Sequence, residues 1–416
     1  MRRLPPIRTY FLIHAITALA QSIMFTTYAV YYVNGLHLTP LQLVLVGTAV
    51  EAAMFLCEVP TGVVADSFSR RLSVIIGMFV LGLAYVLESS VPLLAGTLSL
   101  FGGVVAAEII RGVGETFLSG AQEAWIADEV GPEKTGPVFV KAAQIGRLAW
   151  LAGIPISVGL AALRLNLPYL AGGLLYLLLG ALLAVTMPEH GFTPQPREGR
   201  SPFQLMRETF SAGLGAVRSH RILMLVMIVS FLAGMTSEGF DRLSPAHLLE
   251  SFTLPRVAWL SAASLFGVLA VVENLVGIGV NHLTDRFLDL GNPRAVSGGL
   301  LVSQGLRVVF LVAFALAGNF GQALGFFLAI SATGAFSGPL FNTWVNQNVD
   351  SRVRSTVLSL MGQLNALGQS GGGPFVGWVG TRFPLRSAFL VSAILLSPVV
   401  AVYHRAFRHS GESNAA

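Results

Sequence analysis

The sequence predicts an all-α integral membrane protein, with twelve transmembrane helices in two pseudo-symmetric six-helix bundles. Three observations carry this expectation. First, the 416 residues are 54% hydrophobic and only 11% charged, with a mean hydropathy of +0.70; a soluble domain carries roughly 25% charged residues. No soluble fold hides that much apolar surface, so most of the chain must lie in lipid. Second, the chain repeats itself. Trp125 to Pro155 and Trp344 to Pro374 are one pattern written twice at an offset of 219, with Val130 matching Val349, Val138 matching Val357, Gln144 matching Gln363 and Gly153 matching Gly372. Glu58-Val-Pro-Thr-Gly62 and Glu273-Asn-Leu-Val-Gly277 repeat at 215. A repeat of this period in an apolar chain marks a secondary transporter with its site between two fused halves. Third, twelve apolar stretches approach the length of about 20 residues that a spanning helix needs.

Those stretches fall at about 9–33, 41–64, 72–89, 97–128, 138–163, 169–187, 221–244, 256–281, 295–317, 319–348, 355–380 and 386–406. The first follows Met1-Arg-Arg and passes Ala18-Leu-Ala20, which looks superficially like a signal peptide with a cleavage site. The apolar run continues to Val33, about the length of a full span, and is read as a retained first helix. An even number of spans puts both termini on one side. Arg2, Arg3, Arg70, Arg71, Lys134, Arg286, Arg294, Arg352 and Arg354 fall at the termini or in even-numbered loops, whereas the odd-numbered loops hold only Arg164, Arg256, Arg382 and Arg386. Lys and Arg accumulate on the cytoplasmic side, so both termini are expected there. This asymmetry accounts for the net charge of +5 without any nucleic-acid partner. The single cysteine, Cys57, cannot form an intrachain disulfide.

Taken in order, the spans carry polar groups that need reasons, because a charge inside a bilayer costs about 2.5–3.5 kcal/mol on insertion scales. His14, Gln21 and Tyr28 recur every seven residues on the first span and share a face, as a cavity-lining stripe would. Glu51 lies about mid-way along the second span. Glu108, Arg111 and Glu115 lie three and four apart on the fourth, hence on one helical face, with Gln122 two turns further on. Two acids around one Arg can pair compactly and leave one acid to titrate, the arrangement by which a proton can drive transport; a static ion network is the alternative. Trp125 and Trp344 stand near helix ends and are read as interfacial anchors. Between the sixth and seventh spans, Pro188 to His220 joins the repeats. There Ser201-Pro202 can open a short helix whose Phe203, Met206, Phe210 and Val217 would lie in the membrane interface. This divides the chain into an N-terminal bundle at 1–187, a linker at 188–220 and a C-terminal bundle at 221–416. Glu238, Asp241 and Arg242 form an acid–base cluster near the outer end of the seventh span, either functional or facing water. Arg307 sits deep in the ninth with no acidic partner nearby in sequence. Asn342 and Asn346, four apart on the tenth, add cavity candidates.

The loop between the second and third spans reads Gly62-Val-Val-Ala-Asp66-Ser-Phe-Ser-Arg70-Arg71. Gly62 permits close helix approach, and Asp66 can cap the third helix and pair with a base. The segment resembles the signature loop of the major facilitator superfamily, with Ser69 where a Gly is usual. The resemblance implies the fold of that family and a latch in which the loop, Gly62, Asp66, Arg70 and Arg71, engages an acid at the end of the fourth helix; Asp128 holds that place. Arg111 is similar in position to the buried Arg of the family's fourth-helix motif, which in drug/proton antiporters is linked to proton transfer. The antiporter motif of the fifth span is degraded here to Gly153-Ile-Pro155-Ile-Ser-Val-Gly159, and a better version, Gly372-Gly373-Pro374-Phe-Val-Gly377, stands in the eleventh. Ser119 to Asp128 and Glu238 to Leu243 resemble prokaryotic multidrug or tetracycline-type exporters.

The resulting expectation is a proton-coupled exporter of amphipathic organic compounds that works by alternating access. It would sit in the inner membrane of a prokaryote as a monomer, with a small-molecule substrate, protons and lipid as partners and no cofactor. Glu115, Arg111, Glu108, Glu51, Glu238 and Asp241 are the proton-coupling candidates. Nutrient uptake by proton symport is the alternative. An enzyme is disfavoured, because no metal-ligand spacing, Walker loop or Gly-x-Ser-x-Gly elbow occurs. The repeat also predicts inequality. Asp66 corresponds to Asn281, Asp128 to Gln347, and Glu108, Arg111 and Glu115 to Phe327, Ile330 and Gly334, so proton handling is expected mainly in the first half.

Overall fold

A computed structural model describes residues 3–94, 99–194, 221–254, 261–349 and 354–412. The helix expected from Ser201 to Val217 lies outside the described residues, as do Arg256 and Arg352. The described chain is helical and without strands, built on long helices that we number α1 to α12: Pro6–Phe25, Pro40–Ser67, Arg70–Ser90, Leu100–Leu118, Thr135–Leu163, Leu167–Thr186, Arg221–Glu250, Ala262–Phe287, Pro293–Ala315, Phe320–Asn348, Arg354–Arg382 and Arg386–Glu412. Ten segments among the described residues are long and apolar enough to cross a membrane. The other two are α4, which carries Glu108, Arg111 and Glu115, and α11, which carries Gln363, Asn365 and Gln369. Large apolar side chains such as Leu56, Leu83, Leu148, Leu178, Leu275 and Ile394 point outward, as lipid requires of a spanning bundle.

Local chemistry sets the helix starts. Ser69, Ser99, Asn292 and Asn319 each accept from backbone N–H groups in the first turns of α3, α4, α9 and α10. Asp66 does not cap α3, contrary to expectation; it lies in the last turn of α2, and the cap is Ser69. The predicted fourth span divides. α4 stops at Leu118, and Gly120, at φ 71°, turns the chain into a second helix, Ala121–Val130. The first span is interrupted too: α1 ends at Phe25, and a short helix, Tyr28–Val30, and a π-turn, Tyr31–Gly35, follow.

Contacts group the chain into two compact units. One comprises Met1–Leu38, Ala49–Met206 and Val257–Val268; the other comprises Thr39–Thr48, Arg207–Arg256 and Leu269–Ala416. Each unit pairs its helices alike: α1 packs on α5 and α6, and α3 on α4 and α6, while α7 packs on α11 and α12, and α9 on α10 and α12. The repeated Gly explains the first of these crossings. A Cβ on Gly153 of α5 would lie 2.6 Å from the Cβ of Ser22 on α1, and one on Gly372 of α11 would lie 2.5 Å from the Cα of Met235 on α7. Both glycines let a fifth helix approach the first helix of its own unit. The cores differ in chemistry. Tyr31, Tyr32, Tyr85, Tyr169 and Tyr176 are buried together in the first unit, and Phe240, Phe314, Phe327 and Phe389 in the second.

Candidate functional site

In the first unit the charges of α4 meet a phenol-rich core. Arg111 Nε donates to Glu108 Oε2 at 2.5 Å, with side chains 13% and 1% exposed. Glu115 is half-buried one turn on, and its charge acts on both. The other oxygen of Glu108 accepts from the Tyr32 hydroxyl at 3.0 Å. The same hydroxyl bonds Oε1 of Glu88, an acid at the end of α3 that is 1% exposed. Tyr169 donates to Tyr32 at 3.3 Å, Tyr31 donates to the Glu88 carbonyl at 2.9 Å, and Phe25 stacks under Arg111. The two carboxyls bridged by Tyr32 come from different helices. Tyr32 reaches both because the chain breaks at Thr26–Thr27, where Thr27 pairs with Ser157 at 2.9 Å.

Glu88 escaped the sequence reading because it stands at a span boundary. An acid inside an otherwise apolar helix was the available signal, with a second in the tyrosines, seven of whose eight precede residue 177.

The predicted face of His14, Gln21 and Tyr28 does not persist, because Tyr28 lies beyond the helix break. Gln21 instead lies beside Tyr176, and His14 packs edge-on against Tyr10 with its Nε2 unpartnered among the described residues. Glu51 is half-buried on α2. Gln122 is likewise cut off from the Glu115 face by the Gly120 turn.

A second cluster gathers around the signature loop. Arg70 lies 2.6 Å from Asp128 Oδ2, 3.7 Å from Asp66, and 2.7 Å from the Ala124 carbonyl. Arg71 points elsewhere, donating to the Ala184 carbonyl at 2.6 Å. Glu189, just after α6, accepts from the Ser69 hydroxyl at 2.7 Å and the Arg71 N–H at 2.9 Å, which gives the Ser at the usual Gly position its own partner. Glu129 accepts from the His190 and Gly191 N–H groups. Gly62 serves no close approach here; a Cβ on it would meet nothing within 4 Å. Nor is Trp125 an interfacial anchor. It is 1% exposed and donates to the Pro188 carbonyl at 2.8 Å. Trp344 is likewise buried, against Phe341 and Tyr403.

The second unit is more ionic than its sequence suggested. Glu238, 7% exposed, pairs with Arg242 at 2.9 Å, so these two are packed together, while Asp241 is exposed. Ser331 donates to Glu273 at 2.7 Å. Across helices, Asp241 of α7 acts on Arg307 through space. A cavity of about 470 Å³ opens beside Arg307, lined by α7, α9, α10, α11 and α12 with Ser237, Gln304, Asn365 and Tyr403 among apolar residues such as Phe341, Leu358 and Leu396. Asn342 and Asn346 do not line it; both are exposed.

The chain is similar in fold to solved transporters. It matches the nucleoside transporter NupG with a TM-score of 0.69 at 14% identity, covering 97% of this chain and 99% of that one. It matches the xylose transporter XylE from E. coli with a TM-score of 0.66 at 14% identity, covering 95% of each. A curated relative, the uncharacterised MFS-type transporter YxaM of Bacillus subtilis (strain 168), is 22% identical over 365 residues, 86% of each chain. The family model for the Major Facilitator Superfamily matches residues 10–373. With twelve long helices among the described residues, in two like-paired sets, and that match across most of its length, the protein is an integral membrane transporter and belongs to the major facilitator superfamily.

Proposed function

We propose that this protein is a proton-coupled secondary transporter that exports amphipathic organic compounds by alternating access. The observation that carries the proton coupling is the Tyr32 hydroxyl set between the carboxyls of Glu88 and Glu108. A phenol has one proton to donate, so it satisfies only one carboxylate. The other carboxyl must bring its own proton, or two acceptors face each other in a dry core at a cost of several kcal/mol. Arg111 is already paired with Glu108, and Glu88 is the carboxyl we assign to carry the proton. Glu115, on the same face of α4 as Arg111, is the second acid of this proposed pathway. Asp66, Arg70 and Asp128 act as a latch that is made and broken during the cycle. The protein works as a monomer in the inner membrane of a prokaryote with both termini in the cytoplasm. The mixed lining of the cavity in the second unit suits a molecule with an apolar body and a polar end.

The polar groups on that wall also favour a second reading, uptake of a small metabolite by proton symport. Flux direction decides. Purified protein in liposomes with an acidic interior draws substrate inward against its gradient if it is an antiporter, and expels it if it is a symporter. Glu115→Gln and Glu88→Gln each abolish the response to the proton gradient. Unchanged proton-driven flux in both variants would sink the coupling assignment.

A further inference from the structure

We infer that the cavity beside Arg307 is a binding site for an organic anion, a carboxylate or phosphonate carried on an apolar body. The inference rests on the transporter reading above and names the substrate class of its second unit. Three hydrogen-bond donors meet on the cavity wall without partners. Arg307 makes no hydrogen bond or ion pair among the described residues, although its guanidinium offers five N–H groups. The Gln304 side chain is buried with its Nε2 unpartnered. Tyr403 is buried, and its hydroxyl has no partner among the described residues.

Other polar groups nearby are partly engaged. Asn365 Oδ1 takes a hydrogen bond from Gln369 at 2.7 Å, and Asn365 Nδ2 is used on the Ser230 carbonyl. Ser237 and Ser337 turn their hydroxyls onto the carbonyls of Gly234 and Gly334. What stands open on this wall is a guanidinium with two further donors beside it, and the ligand that satisfies them offers acceptors and carries negative charge. Asp241 of α7 acts on Arg307 through space and tempers its charge. The repeat makes the room. Gly334 stands where the first half has Glu115, and a Cβ there would lie 3.9 Å from Arg307 Nη1. The rest of the wall, Phe341, Leu358, Leu396 and Val399, is apolar and fits a hydrocarbon or aromatic body.

The test is ligand binding to the purified full-length protein in lipid nanodiscs, by calorimetry and thermal shift, with no proton gradient present. The probes are benzoate, phenylphosphonate, neutral benzamide and cationic benzylamine. Benzoate or phenylphosphonate binds and raises the unfolding temperature, and benzamide and benzylamine do neither. Arg307→Gln weakens anion binding about tenfold or more, and Gln304→Leu weakens it several-fold. The inference is overturned if neither anion binds, if benzamide or benzylamine binds as tightly, or if Arg307→Gln binds benzoate like the wild type. Should Arg307→Gln fail to fold, the wild-type probe series and Gln304→Leu still decide. Because no gradient is involved, failure here leaves the proton-coupling experiment standing, and failure of that experiment leaves this one standing.

Discussion

Replacing Glu108 with Gln isolates the ionic centre of the first unit. The substitution keeps shape and an acceptor for Tyr32 but removes the charge that Arg111 faces at 2.5 Å. With the two side chains only 1% and 13% exposed, solvent screening recovers little. Stranding one member of such a pair costs about 3–5 kcal/mol. Glu115 acts on the same guanidinium from the next turn, so the cost belongs at the low end, about 3 kcal/mol. Arg111→Gln alone strands Glu108 and Glu115 together and costs as much. The double variant Glu108→Gln/Arg111→Gln removes both charges and recovers most of the loss, because the desolvation penalty disappears along with the attraction. Equilibrium unfolding of the four proteins in mixed detergent micelles gives the coupling energy of the cycle. If the two single losses simply add in the double variant, Glu108 and Arg111 are not a coupled buried pair and the reasoning about this site fails.

Asp128→Asn removes the 2.6 Å contact to Arg70 and loosens the segment after α6, so amide exchange at 188–192 speeds up; Asp66→Asn, at 3.7 Å and half exposed, changes it far less. Gly368→Ala places a methyl onto the Phe231 carbonyl of α7 and costs about 1–3 kcal/mol of overpacking, whereas Gly371→Ala, with nothing within 4 Å, is neutral; the folded fraction on size-exclusion chromatography distinguishes them. Trp125→Phe leaves the Pro188 carbonyl without its donor and destabilises by about 1–2 kcal/mol, measured by the same detergent unfolding.

The sequence by itself determined the membrane class, the twelve helices and the duplication, because each is a property of local composition or of spacing along the chain. It also located Glu108, Arg111 and Glu115 on one face, since a three–four spacing on a helix is a geometric certainty once the helix forms. Where a helix stops was less visible. The Gly120 turn and the Thr26–Thr27 break took Gln122 and Tyr28 off the faces that spacing had assigned them. Partners between distant segments were decided only by the tertiary structure. Nothing in the spacing of Tyr32, Glu88 and Glu108 brings them together, nor in that of Asp241 and Arg307, which stand 66 positions apart in sequence. The duplication carries one hint of this. Glu88 plus the offset of 219 is 307, so the acid of one unit and the base of the other occupy equivalent positions in the third helix of each half. The repeat copied the helix pairing, and the side chains later placed at those equivalent positions gave one unit an acid among tyrosines and the other a cation beside an open cavity.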